Sequence, residues 1–362
     1  MKQNKVIVAT GRTYAYVDAK STPSPRATLL CLHGFPDQWY GWEHQITAWS
    51  KAGYRVLVPH MLGYGQTDKP QDIEAYSTKN LCADLAAFLD SLGLFEPLVV
   101  IGHDWGAAVA WRFLLWYPER LKLLINMSVP YFPPWTTYIP IEEASRRVPS
   151  FAYQEYFASP ESTAQVERAL SIFLPALFQG PRGFSGHQQG SSGENISILR
   201  PGQMKALIND ETRLRAQQPT LPPMVISPEE LNRYRADFEQ GGMHGPLSYY
   251  RNTRSRYDDE LQLLKRGNRN RSSPSKPIPI LFIYGSEDKT CPENFVKRMP
   301  QLITKSDPNV RLPLLYGDLK MIKLDGVGHW VLLEAKERVT NEVLSFLEQN
   351  LAGRTALPLA KL

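Results

Sequence analysis

The feature that most narrows the folds open to this chain is a set of short apolar runs, each ending where a loop-forming segment begins. Thr28–His33, Arg55–His60 and Leu98–His103 are near-continuous apolar runs, and strand-type runs recur at Leu121–Met127, Ile278–Tyr284 and Leu319–Leu324. A strand with one wet face alternates polar and apolar residues, whereas a run apolar throughout belongs to a sheet covered on both faces, as parallel strands are. Helical stretches at Glu43–Ala52 and Thr78–Leu92 separate the first three runs, and the second carries Leu81, Leu85, Phe88, Leu89 and Leu92 on one stripe. Strand, helix and strand repeated in this way give right-handed crossovers and a doubly wound sheet whose reactive loops lie at the carboxyl ends of its strands. With the β-rich runs Lys5–Ala9 and Thr13–Asp18 at the start, a helix at Ala107–Tyr117 stopped by Pro118, and a final amphipathic helix at Glu334–Leu351, the pattern predicts an α/β fold with a mostly parallel sheet of about eight strands flanked by helices.

The alternation lapses after Met127. Residues 131–276 are rich in proline, aromatics and irregular helical stretches and hold a Gly/Ser-rich loop at Gly180–Gly193. They are expected to form an inserted, mainly helical cap between the two parts of the core, residues 1–130 and 277–362. No periodicity fixes a fold for Gly180–Pro223, which is expected to shape the entrance to the site. Hydrophobic residues at 43% and charged residues at 21% exclude a disordered or fibrous chain. The apolar stretch Ala169–Phe178 is short and interrupted by Pro175, and Met1–Thr10 lacks the apolar core of a signal peptide, so a soluble protein in the cytoplasm, without stable membrane insertion, is expected. Cys31, Cys82 and Cys291 are too few and too scattered for a disulfide framework or a metal site. The net charge of +5 is modest, and its densest basic stretch, Lys265–Lys276, is laced with Asn, Ser, Gly and Pro and has no aromatic platform beside it; it predicts a solvated linker and no nucleic-acid partner. The ending Ala360-Lys361-Leu362 resembles a peroxisomal address, a short signal that also arises by accident.

Chemistry concentrates where strands end. Gly102-His103-Asp104-Trp105-Gly106 stands between a buried run and a helix and has the form of a nucleophile elbow with aspartate at its centre, the glycines relieving a sharp strand-to-helix turn. Asp is also a favoured helix N-cap, so the pentapeptide alone leaves a capping role open. His33-Gly34-Phe35-Pro36 follows the third strand, where the backbone N–H of Phe35 can join that of Trp105 as an oxyanion hole; the His33 side chain is expected to brace this loop. Asp288, in Tyr284-Gly285-Ser286-Glu287-Asp288, and His329, in Gly326-Val327-Gly328-His329-Trp330, complete the chain order nucleophile, acid, histidine. Glu287 competes with Asp288 for the acid. An Asp bonded to one imidazole nitrogen leaves the other free to activate water.

With these motifs in place, the chain resembles, over essentially its whole length, the soluble epoxide hydrolases of the α/β-hydrolase fold. In that family the cap supplies two tyrosines to the epoxide oxygen. The resemblance assigns them to Tyr153, in Tyr153-Gln154-Glu155-Tyr156-Phe157, and to Tyr250, in Ser248-Tyr249-Tyr250-Arg251-Asn252, with Tyr156 and Tyr249 as packing residues. It implies an aspartyl ester on Asp104, hydrolysed by water that His329 and Asp288 activate, and a diol product. A phenol suits the leaving alkoxide because it stays protonated at neutral pH and can still give up its proton. The implied substrate is a small apolar epoxide, held by an aromatic site that includes Phe35, Trp105, Phe157 and Trp330; water is the co-substrate, no cofactor or metal is called for, and the chain is expected to act as a monomer or homodimer. Two departures stand out. Asp37 occupies a position where the family often has Glu, proposed to order the hydrolytic water together with the histidine before the nucleophile, here His103; and His60-Met61 replace an Asp-Arg pair. The alternatives are a dehalogenase of the same fold, whose halide needs N–H donors rather than phenols, and a receptor that binds a small ligand without catalysis.

Overall fold

The apolar runs become neighbouring strands of an eight-stranded sheet in the order β1-β2-β4-β3-β5-β6-β7-β8. The structure is a computed structural model that describes residues 1–180, 201–209, 224–266, 277–304 and 318–351. The strands are β1 (Gln3–Ile7), β2 (Thr13–Ala19), β3 (Thr28–Leu32), β4 (Arg55–Pro59), β5 (Leu98–His103), β6 (Leu121–Met127), β7 (Ile280–Gly285) and β8 (Leu319–Leu324). β1 and β2 run antiparallel to their neighbours, and all remaining pairs are parallel. The mostly parallel α/β sheet read from the sequence is therefore the one observed.

Sheet order decides where the reactive loops meet. β5 lies between β3 and β6, with Leu32 beside Gly102 and His103 beside Met127. The loop after β3 and the turn after β5 therefore leave the sheet side by side. β7 and β8 follow β6 in the same parallel sense, so the segments after them emerge at the same edge. Helices α1 (Glu43–Lys51), α2 (Thr78–Ser91) and α3 (Trp105–Trp116) follow β3, β4 and β5. The side chain of Ser77 accepts the Asn80 N–H to cap α2.

Between β6 and β7 the described residues are helical wherever they are regular, from Ile141–Arg147 to Thr253–Arg266. One of these helices, Pro228–Gly241, begins with a full capping box of Ser227 and Glu230. Buried contacts are among those that fasten this segment to the core. Arg112 of α3 donates to both carboxylate oxygens of Glu260, at 2.7 and 3.2 Å; the Tyr249 hydroxyl donates to the Leu62 carbonyl at 2.9 Å; and the Tyr234 hydroxyl donates to Asp37. Among the described residues no helix is long and apolar enough to cross a membrane, and Cys31, Cys82 and Cys291 are buried free thiols. Residues 181–193 of the Gly/Ser-rich loop, 267–276 of the basic stretch, and Ala360-Lys361-Leu362 lie outside the described residues.

Candidate active site

Asp104 stands between β5 and α3 with φ 52°, a positive φ that a non-glycine residue holds only where its surroundings enforce it. The enforcement comes from close packing of helix on sheet: a Cβ at Gly106 would stand 1.9 Å from the Leu32 carbonyl oxygen. At this N-cap position the Asp104 side chain makes no capping hydrogen bond, so the capping role left open by the sequence is not the one it plays. Its Oδ1 accepts the Phe35 N–H at 2.7 Å, and its Oδ2 lies 3.3 Å from His329 Nε2. A Cβ at Gly34 would come within 2.3 Å of Asp104 Oδ1 and 2.7 Å of the Trp105 amide nitrogen; only glycine lets the two loops approach this closely. Burial works to raise the Asp104 pKa, but the bond and charge of His329, with help from His103 and the Phe35 N–H, outweigh it and hold the carboxyl below its ordinary range.

His329 is held from the other side by Asp288, whose Oδ2 lies 2.8 Å from Nδ1. Oδ1 of Asp288 accepts the N–H groups of Thr290 and Cys291, at 2.9 and 3.0 Å, which fixes the carboxylate in its loop. Glu287 is exposed and pairs with Lys289, which leaves Asp288 as the acid at the histidine. The His329 carbonyl accepts from His103 Nε2 at 2.9 Å and from Ser128 Oγ at 2.7 Å. Burial pushes His103 down to about 4, so the ring is neutral. With its proton on Nε2, its buried Nδ1 is a bare acceptor with no partner among the described residues. His33 braces its loop as read, donating from Nδ1 to the Gly34 carbonyl and accepting the Met61 N–H at Nε2. His60 bridges Gln38 and Gln3. Asp37 accepts from the Tyr234 hydroxyl and the Gln38 N–H; burial, opposed by these two bonds and reinforced by the charge of Asp104, pushes it up to about 7.

The tyrosines separate by what their hydroxyls do. Tyr156 donates to Gln165 and Tyr249 to the Leu62 carbonyl, so both are committed to packing. Tyr153 and Tyr250 stand together, ring centroids 6.2 Å apart at 75°, and Tyr250 also packs on Phe35, Trp105 and Phe157 at 5.1–5.4 Å. Burial is the first cause holding both phenols well above the ordinary tyrosine value; next comes Asp104 for Tyr153, and Tyr153 followed by Asp104 for Tyr250. A cavity of about 430 Å³ opens on Asp104, Trp105 and Tyr153; Phe35, Phe157, Tyr250 and Trp330 are not among its walls. Trp330 is tied back by its indole N–H to the Leu177 carbonyl at 2.8 Å and stacks on Phe178.

Sequence reasoning missed two supports. Glu334 accepts the N–H groups of Gly328 and Trp330 and so clasps the histidine loop, and Tyr234 holds Asp37 from 197 residues away. The first has a weak local signal, an acid closely following a Gly-x-Gly-His turn. The second has none.

Comparison with known proteins identifies relatives of this chain in sequence and in fold. A model of the α/β-hydrolase fold family matches residues 27–179. Epoxide hydrolase A of Mycobacterium tuberculosis is 30% identical over 346 residues, which cover 95% of this chain and 96% of that protein. Bifunctional epoxide hydrolase 2 of Mus musculus is 29% identical over 347 residues, 95% of this chain and 55% of the relative, so the chain spans about half the length of that relative. Among solved structures, Epoxide Hydrolase A from Mycobacterium thermoresistibile aligns with a TM-score of 0.73 at 27% identity, over 96% of this chain and 98% of that one.

Proposed function

Because this chain belongs to the epoxide hydrolase family of the α/β-hydrolase fold, we propose that it hydrolyses apolar epoxides to vicinal diols through an alkyl ester on Asp104, with residues 131–276 as the cap over the site. Oδ2 of Asp104 attacks an epoxide carbon from behind; the carbon–oxygen bond on the far side breaks, and Tyr153 and Tyr250 supply the proton to the departing oxygen. An aspartate suits this step because the ester it forms can be hydrolysed through the same oxyanion hole, whereas a serine would be left as an ether. Water then loses a proton to His329, oriented by Asp288, and attacks the ester carbonyl. The N–H groups of Phe35 and Trp105 hold the tetrahedral oxyanion, each worth roughly 2.7–4 kcal/mol in comparable holes. Its collapse releases the diol and restores the Asp104 carboxylate. Nδ1 of His103 and the Asp37 carboxyl are the groups assigned to ordering that water.

The observation that carries this reading is the Asp104 carboxylate itself, freed from helix capping, with one oxygen on the Phe35 N–H and the other 3.3 Å from His329. The test is a single turnover in heavy-oxygen water with enzyme in excess. The expected diol is unlabelled, because its new oxygen comes from Asp104; label in that first product excludes the ester.

A further inference from the structure

Two tyrosine–aspartate bonds of opposite polarity join the helix Pro228–Gly241 to the core. Tyr234 of the helix donates to Asp37, and Tyr40 of the core donates to Asp237 at 3.0 Å. In each segment the acid and the phenol stand three residues apart, and the two rings pack at 4.5 Å. The outer pair accounts for fastening. Asp237 is half-buried; burial raises its pKa, and Tyr40, Arg233 and Lys69 oppose that rise. Arg233 also lies over the rings of Tyr40 and Trp39, at 4.0 and 4.7 Å, so the helix is tied to the core without the inner pair.

The inner pair is different. Asp37 and Tyr234 are each 1% exposed, and burying a carboxyl is costly, more than a second latch requires. Both bonds to Asp37, from the Tyr234 hydroxyl and the Gln38 N–H, fall on Oδ1; Oδ2 accepts none from a described residue. A Cβ at Gly41 would stand 2.2 Å from Oδ1 and 2.4 Å from Oδ2, so the carboxyl lies against a backbone that only glycine leaves open to it. The titratable groups that face it are Tyr234 from the helix, Tyr40 and Tyr64 from core loops, and Asp104 from the elbow. None of these is a cation, and it is the Tyr234 and Gln38 donors that oppose burial and favour the ionised form. The Tyr234 ring packs on Phe178 at 4.5 Å, Phe178 stacks on Trp330 at 4.7 Å, and Trp330 packs on His329 at 5.7 Å. One aromatic stack therefore runs from the phenol at Asp37 to the loop that carries the proposed base.

We propose that Tyr234 is a positioning residue for ester hydrolysis: its hydroxyl pins Oδ1 of Asp37, leaving Oδ2 to accept one hydrogen of the hydrolytic water while His329 takes the other. This rests on the reading that water attacks an ester of Asp104, and adds to that half of the reaction a residue that touches neither ester nor water. Without the phenol, Asp37 is buried with one donor fewer, which raises its pKa further, so the acceptor is lost at a higher pH.

Tyr234→Phe keeps the ring and removes the donor; Tyr40→Phe removes the outer bond and controls for fastening. Intact-mass measurement of ester formation and decay with styrene oxide separates the two half-reactions. Tyr234→Phe is expected to form the ester at the wild-type rate and to hydrolyse it about tenfold more slowly at neutral pH, the scale of one hydrogen bond to a charged group. The acid limb of hydrolysis should move to higher pH in Tyr234→Phe, stay in place in Tyr40→Phe, and be unmoved by Tyr234→Phe in an Asp37→Asn background. An unmoved limb in Tyr234→Phe, or the same shift in Tyr40→Phe, overturns the proposal. Carbon-13 NMR of substrate-free wild type needs no variant: the Asp37 carboxyl and the hydroxyl-bearing carbon of Tyr234 are expected to titrate together, and a Tyr234 signal blind to Asp37 overturns the proposal as well. If the two titrate together while wild type forms neither ester nor diol, the hold on Asp37 stands and the hydrolase reading falls; if Tyr234→Phe forms the ester and hydrolyses it with the wild-type pH profile, the reverse holds.

Discussion

Nε2 of His329 lies 3.3 Å from Oδ2 of Asp104, so the proposed base rests in contact with the proposed nucleophile and shares its electrostatics. Burial disfavours the charged imidazole, but the carboxylates of Asp288 and Asp104 outweigh it and hold the His329 pKa well above its ordinary value. The two carboxylates thus favour the imidazolium, the form that cannot act as a base. On the proposed mechanism, esterification of Asp104 would remove one of the two charges that favour the protonated ring, so the base would become competent only once there is an ester to hydrolyse. Asp104→Asn imitates that loss of charge. NMR titration of His329 is expected to give a lower midpoint in Asp104→Asn than in wild type; coincident midpoints would show that the contact carries no such coupling.

The paired phenols lead to a second expectation. Tyr153 and Tyr250 both feel the Asp104 charge and are both buried, so neither ionises at working pH and each is available as a donor. Replacing either with Phe should slow ester formation on Asp104, and replacing both should reduce it by about 10²–10⁴-fold, the range typical of general acid catalysis. Intact-mass detection of the ester during a burst gives the rate, with circular dichroism to check the fold. Undiminished alkylation in the double variant would remove the tyrosines from the mechanism.

Much of this site was legible because the sequence places its chemistry where strands stop. β5 and β7 are buried along their whole length, so their apolar runs mark them and the residues that follow are loops at one sheet edge. The sequence pattern predicts β1 at Lys5–Ala9, whereas it lies at Gln3–Ile7; it is an edge strand with no fully buried position, and no apolar face marks its register. The sequence predicts the helix after the elbow from Ala107, but it begins at Trp105, because Asp104 itself is the turn. The sequence predicts one final helix from Glu334, yet Val331–Glu334 and Lys336–Leu351 are separate, with the Glu334 side chain turned back to the histidine loop. The links of Asp37 to Tyr234 and Arg112 to Glu260 join residues 197 and 148 apart, and no local pattern encodes them.

Asp37 leads to a pH-dependent expectation. Its folded-state pKa is pushed up to about 7 from an ordinary 3.8, so the folded protein binds this proton more tightly than the unfolded chain. The stability it contributes is fully present below about pH 4 and is lost as pH rises through 7. Asp37→Asn keeps an acceptor for Tyr234 without the charge. Urea midpoints measured from pH 4 to 7.5 should therefore fall less steeply with rising pH in Asp37→Asn than in wild type, and parallel profiles would place the titration elsewhere.

The ion pair between Arg112 and Glu260 tests what fastens the helical segment to the core. The two side chains are 10% and 4% exposed, and Arg112 also donates to the Phe132 carbonyl at 2.8 Å. Removing one partner strands a buried charge, which typically costs about 3–5 kcal/mol. Glu260→Gln is the harsher single change, because Arg256 then faces Arg112 with no carboxylate beside them. The double change Arg112→Met with Glu260→Met leaves no uncompensated charge from the pair and should recover most of the loss, since buried pairs are often replaceable by apolar residues of similar volume. Urea unfolding of the single and double variants measures this directly: a double variant as unstable as Glu260→Gln would mean that the contact holds the segment through hydrogen-bond geometry that packing cannot replace.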